Sequence, residues 1–145
     1  MTSNQESSYK DKFVVGVDFG GSVTGLALGK NGFVSPIRSV ESKDVMTVIK
    51  EIIRHTKEQK ASAVVLGLPL TVDQKETAQS IEVRRFAKLL KSHIGVPVLF
   101  MEEYGSTQEA VRDAIEGELP QKARSRVDSL SAAIILKRFF SREDL

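Results

Sequence analysis

The chain has 145 residues and a mass of 16.0 kDa, the size of one ordinary domain. Its 21 Lys and Arg against 19 Asp and Glu leave a formal net charge of only +2, while 41% hydrophobic residues are enough to build a core. With no cysteine and only two histidines, disulfide frameworks and thiolate zinc sites are excluded, and any metal must be held mainly by carboxylates. No apolar run approaches the ~20 residues of a membrane span, and a two-domain enzyme with a cleft between lobes would need more chain.

Residues 1–12 (MTSNQESSYKDK) are polar, with neither the apolar stretch of a secretory leader nor the arginine-rich pattern of an organellar one. They read as a disordered tail ahead of one domain over residues 13–145. The expected compartment is the cytoplasm, or an organelle if a leader has been removed. Residues 13–18 (FVVGVD) form an apolar run ending in an acid, as a buried central strand does. After a glycine-rich corner comes a second strand over 23–29. Asn31-Gly32 then signals a tight hairpin into a third strand over 33–40, placed at a sheet edge by Pro36.

The period changes next. Val45, Val48, Ile49, Ile52 and Ile53 repeat at helical spacing behind an Asp44 N-cap, predicting a helix to about residue 59. A buried strand over 63–67 is expected to stop at Leu68-Pro69. Val83, Phe86, Ala87 and Leu90 mark the inner face of a second helix, and residues 96–101 a fifth strand. Ser106 and Glu109 read as a capping box for a third helix, and a charged segment over 117–125 leads to a last helix over 126–140. The order βββαβαβαα implies an α/β fold, a mixed five-stranded sheet covered by helices, which is the element order of the ribonuclease H-like fold.

That topology carries the ends of strands one, four and five to one edge. Asp18 ends the first strand, Glu102 and Glu103 follow the fifth, and Asp128 opens the last helix. Taken singly, each acid has a structural explanation as a cap, a turn residue or a solvated loop. Taken together, they would repel one another unless a cation sat between them. Mg2+ or Mn2+ would suit such hard oxygen donors, and two ions about 4 Å apart could serve phosphodiester hydrolysis. The corner at residues 18–25 (DFGGSVTG) is open to two readings: a hairpin that lets a phosphodiester approach Asp18, or the phosphate loop of actin-like and sugar-kinase proteins. The second reading needs a further domain that 145 residues do not accommodate.

The stretches VVGVDFGGSVTGLALG, VVLGLPLTVD, EEYGSTQEA and RVDSLSAAIIL resemble the YqgF (RuvX) family of ribonuclease H-like nucleases, over residues 13–140. The resemblance implies a metal-dependent endonuclease for structured nucleic acid, either in 5′-end processing of pre-16S rRNA or in Holliday junction resolution. It implies Asp18, Glu103 and Asp128 as catalytic residues and ligands of two Mg2+ or Mn2+ ions. This chain departs from the family in three places. Ser22 or Val23 stands in place of a basic residue, Gln74 in place of a glycine, and Glu102-Glu103-Tyr104 in place of an Asp-Glu-Arg triplet. A non-catalytic nucleic-acid-binding module of the same fold is therefore the alternative, and an ATP-binding domain a distant one.

Charge along the chain is segregated, with six acids and one arginine over 102–118 and basic residues on either side. Lys122, Arg124 and Arg126 lead into Asp128 and are placed to clamp a nucleic-acid backbone. Ser106 and Thr107 would cap their helix and could also receive a phosphate there. Arg84, Lys88 and Lys91 read as an ordinary solvated stripe, and His55 and His93 as surface residues. A resolvase cutting two symmetric strands would be a homodimer.

Overall fold

The computed structural model of the chain describes residues 9–104 and 124–143, with side chains described at 9–103 and 129–142. The expected antiparallel opening is present as β1 (Val14–Asp18), β2 (Val23–Lys30) and β3 (Phe33–Glu41). Asn31 (φ 57°) and Gly32 (φ 80°) close the β2–β3 hairpin with Lys30 opposite Phe33. Both central residues are left-handed, as a two-residue turn between twisted strands requires. Then come α1 (Val45–Glu58), β4 (Ala63–Leu70), α2 (Ala78–Lys91), β5 (Val98–Tyr104) and α3 (Arg124–Glu143). The sheet order is β3-β2-β1-β4-β5, with β4 parallel to both β1 and β5. Pro36 lies on the edge strand β3, as its missing N–H demands.

Alternation along the strands sorts two cores onto the two faces. Val15 and Val17 of β1 join Leu66 and Leu68 of β4 beneath α1 and α2, whose Val48, Ile49, Ile52, Val83, Phe86 and Leu90 are buried there. Val14, Ala63, Val65 and Met101 form the opposite core with Ala132, Ile135, Leu136 and Phe140 of α3. The second core depends on a close approach of helix to sheet. A Cβ added at Gly16 would lie 2.5 Å from Leu136 Cγ and 2.9 Å from the Ala132 carbonyl oxygen. At Gly67 it would meet Ile135 Cδ1 at 2.4 Å.

Four expectations change. β4 runs through Pro69 to Leu70 instead of stopping at Leu68-Pro69. Its pairing with β1 ends at Val17–Leu66, so Pro69 lies beyond that ladder, and its carbonyl accepts the Thr77 hydroxyl at 3.0 Å. β5 likewise runs past Met101, so that Glu102 and Glu103 lie in the strand opposite Leu68 and Pro69. Residues 9–12, assigned by composition to the tail, form a turn in which the Lys12 N–H donates to the Tyr9 carbonyl at 3.1 Å. The Tyr9 ring stands 6.0 Å from that of Phe139, which gives this short segment an apolar anchor. The last helix starts at Arg124, two residues before expectation. The helix expected from Ser106 and most of the charged segment after it lie outside the described residues.

Because the Ala132 backbone cannot yield as a side-chain tip can, Gly16→Ala should force α3 away from the sheet. We expect it to destabilise the protein by about 1–3 kcal/mol in urea unfolding.

Candidate active site

The ends of β1, β4 and β5 lie on one edge, and the sheet alternation decides which acids meet there. Asp18 follows Val14 and Gly16 in parity, so it belongs to the α3 face of β1, where it is partly buried. Glu103 shares that face two strands away and is 1% exposed. Glu102 belongs to the opposite face, is exposed, and feels Arg84 of α2. The adjacent glutamates thus part company. Only Glu103 is on the Asp18 side.

Glu103 is one of the largest fully buried side chains described. A charged carboxylate in that position requires a partner. Arg138 of α3 supplies it, its Nη1 donating to Glu103 Oε2. The other oxygen, Oε1, is buried and has no hydrogen-bond partner among the described residues. In the sequence alone Arg138 is one of several late basic residues. Its sole distinguishing signal there is its place on the helix expected to cross this face.

The start of α3 is tied to the same region from the other side. β3 carries one extra residue between the pairs Thr24–Val40 and Leu26–Ile37. Beside this bulge, the buried Leu26 N–H donates to Ser129 Oγ at 3.3 Å. Leu26 faces Val17 across the ladder, one step from Asp18. Asp128 precedes Ser129 in α3, and its side chain lies outside those described. So do the side chains of Arg124 and Arg126, as well as Lys122, Ser106 and Thr107. Among the described residues no group of three acids or histidines gathers as a metal site.

The rim of the site is held rigidly. The glycine-rich corner is closed by Thr24, whose hydroxyl donates to the Gly20 carbonyl at 3.3 Å and accepts the Gly20 N–H at 3.4 Å. Phe19 stacks on Phe86 of α2 at 4.1 Å between ring centroids, and Gln79 Nε2 donates to the Phe19 carbonyl at 2.9 Å. After β4, the loop over 71–77 turns at Gln74 with φ 66°, so glutamine here bears the left-handed conformation that a glycine would adopt freely. Thr77 and Ser80 form the capping box of α2. Arg84 grips Glu76 with two bonds, Nε to Oε1 at 2.9 Å and Nη2 to Oε2 at 2.8 Å. Its guanidinium also lies 5.5 Å from the Phe100 ring centroid.

Of the two histidines, His93 is exposed as expected, whereas His55 is half-buried, and burial pushes its pKa down. It lies in a cleft of about 290 Å3 between β3 and α1, with Ile37, Val40, Glu51 and Arg54. That cleft opens at the β3 edge of the sheet, away from Glu103.

The Arg84 contact holds the Glu76 carboxyl down to about 2, with the Ser80 hydroxyl adding to the effect. Glu76 therefore contributes stability above its ordinary value of 4.5, and that contribution is lost as the pH falls toward 2. In Glu76→Gln, acid unfolding followed by circular dichroism should depend less on pH across this window.

Comparisons with known proteins come to bear on this arrangement. The RuvX family, described as Holliday junction resolvase, matches residues 12–142. A Proteus mirabilis protein named "Putative pre-16S rRNA nuclease" is 33% identical over 136 residues, covering 92% of this chain and 98% of its own. One of that name from Alcanivorax borkumensis is 33% identical over 131 residues, 88% of this chain and 95% of its own. Among solved structures, Thermus thermophilus RuvC in complex with a Holliday junction substrate aligns with a TM-score of 0.56 at 17% identity, covering 92% of this chain and 96% of the other. Fowlpox virus Holliday junction resolvase aligns at 0.51 with 13% identity, covering 92% and 99%. At these identities the likeness shows the fold, which is ribonuclease H-like, whereas the sequence match shows descent. The chain belongs to the RuvX family of nucleases.

Proposed function

We propose that the chain is a divalent-metal-dependent endonuclease acting on structured nucleic acid, with 5′ processing of pre-16S rRNA ahead of junction resolution. The observation that carries this reading is the buried Glu103 carboxylate, with Oε1 unpartnered, on the same sheet face and edge as Asp18. Such an oxygen costs a few kcal/mol if nothing meets it, and hard anionic donors are what Mg2+ and Mn2+ take. Asp18 and Glu103 bring the oxygen donors that a divalent ion takes, and the family resemblance adds Asp128 to the set. The names of the relatives and their family support a phosphodiester substrate.

When bound, two such ions would lower the pKa of a water and offset charge on the leaving oxygen. The chain's own part is positional. Asp18 and Glu103 stand on strands held in register by the β4 ladder, so their spacing is set by the sheet rather than by loops. The corner over residues 19–22 exposes Gly21, where an added Cβ would meet nothing within 4 Å, leaving room for a phosphate to pass Asp18. Lys122, Arg124 and Arg126 supply backbone contacts independent of sequence, with Ser106 and Thr107 as further phosphate donors.

Asp18→Asn and Glu103→Gln should each retain the fold by circular dichroism. Each should lose more than about 100-fold in cleavage of a pre-16S rRNA 5′ leader and of a four-way DNA junction with Mg2+ or Mn2+, a larger loss than removal of an outer partner brings. Full activity in either variant overturns the assignment. Binding without cleavage by the unaltered chain under both metals would establish the non-catalytic module instead. Replacing Lys122, Arg124 and Arg126 together by alanine should weaken binding and lower the slope of log K against log salt by about 0.7–0.9 for each phosphate no longer neutralised.

A further inference from the structure

We propose that Arg138 is a positioning residue for Glu103: it holds Oε2 so that Oε1 is presented as a single fixed donor to a divalent cation. The inference rests on the reading of Asp18 and Glu103 as metal ligands. Arginine can engage a carboxylate through one oxygen or, with its planar fork, through both. Here Nη1 meets Oε2, and among the described residues the second oxygen is buried without a hydrogen-bond partner. The contact thus anchors the carboxylate at Oε2 and leaves Oε1 for another group.

The reach of Arg138 is itself constrained. Ile135, three residues earlier, packs where a Cβ on Gly67 would lie, and Glu103 Cγ is 3.8 Å from that same point. One turn later, Arg142 Nη1 lies 3.4 Å from Met101 Sδ, two residues before Glu103 on β5. Arg138 thus leaves α3 between two seated neighbours, and its guanidinium is delivered to the carboxylate from the helix side. Its side chain is 35% exposed against 2% for Glu103, so it closes the outer side of the carboxylate toward solvent. A partner that fixes one oxygen of a ligating carboxylate sets both its orientation and its basicity toward metal.

The test is calorimetric titration of Mn2+ into the full chain, its Arg138→Met variant and its Arg138→Lys variant. Circular dichroism and thermal unfolding of the metal-free proteins accompany it. The Met variant, folded, should bind Mn2+ about 10–100-fold more weakly. The Lys variant should fall between, since an ammonium keeps the charge but not the planar donor geometry. A merely structural arginine would lower the metal-free melting temperature and leave the Mn2+ affinity where it was. Unchanged or tighter binding by a folded Met variant overturns the proposal. If that variant does not fold, unchanged binding by the Lys variant does so. No Mn2+ binding by the unaltered chain would overturn the metal-site reading along with this inference, whereas binding insensitive to residue 138 overturns this inference alone.

Discussion

The close seating of α3 on the sheet is the constraint on which the rest of the molecule depends. Side-chain-free positions at Gly16, Gly67 and Gly29 admit Leu136, Ile135 and Phe140 to within contact of the strands. A methyl group at Gly16 would meet the Ala132 carbonyl oxygen as well as Leu136, whereas at Gly67 and Gly29 it would press first on the side chains of Ile135 and Phe140. The same packing carries Ser129 to the Leu26 N–H and Arg138 to Glu103, contacts that tie the helix to residues 103 and 35 positions away in the chain. Core and site are therefore one structure. Looser packing at Gly16 would be felt as altered geometry at Glu103.

Glu103 shows what that geometry holds in place. Burying a carboxylate costs several kcal/mol unless charge and hydrogen bonds offset the lost hydration. Arg138 offsets it at Oε2, while Oε1 has no hydrogen-bond partner among the described residues. Stability alone would be better served at this position by an apolar residue. On the proposed reading, Oε1 is a donor for a cation. Preorganisation in low-dielectric surroundings is what gives such a donor its strength.

Around this point the charge of the chain is divided by face and by partner. Glu102 sits back to back with Glu103, near Arg84, which is itself engaged by Glu76 and by the Phe100 ring. Arg84 is thus a tether between α2 and the loop over 71–77, a more specific role than a solvated stripe suggests. The corner next to Asp18 is bound to α2 as well, through Phe19 on Phe86 and Gln79 on the Phe19 carbonyl. A near-neutral total of +2 conceals an acidic sheet edge and basic chain segments that are separate in sequence.

Much of the fold was legible from the chain alone, because it rests on short-range rules. Asn31-Gly32 could make only a tight turn, Pro36 required an edge, and the helical spacing from Val45 to Ile53 had one solution. The acid that ends β1 and the family motifs were equally visible, since they are local strings of residues. Strand ends were not. Leu68-Pro69 and Glu102-Glu103 have the composition of loops, and only pairing between β4 and β5 makes them strand. Composition does not distinguish Glu102 from Glu103; the family resemblance implies Glu103, and register supplies the physical difference, because a shift of one residue exchanges the two faces of a strand. Arg138, too, was one basic residue among several until the seating of α3 aimed it at a single carboxylate. By itself the sequence determined the elements and the kinds of chemical group available, through interactions a few residues long. Which acid is buried, and which arginine meets it, was decided by contacts between distant segments that exist only once the sheet and α3 have closed on each other.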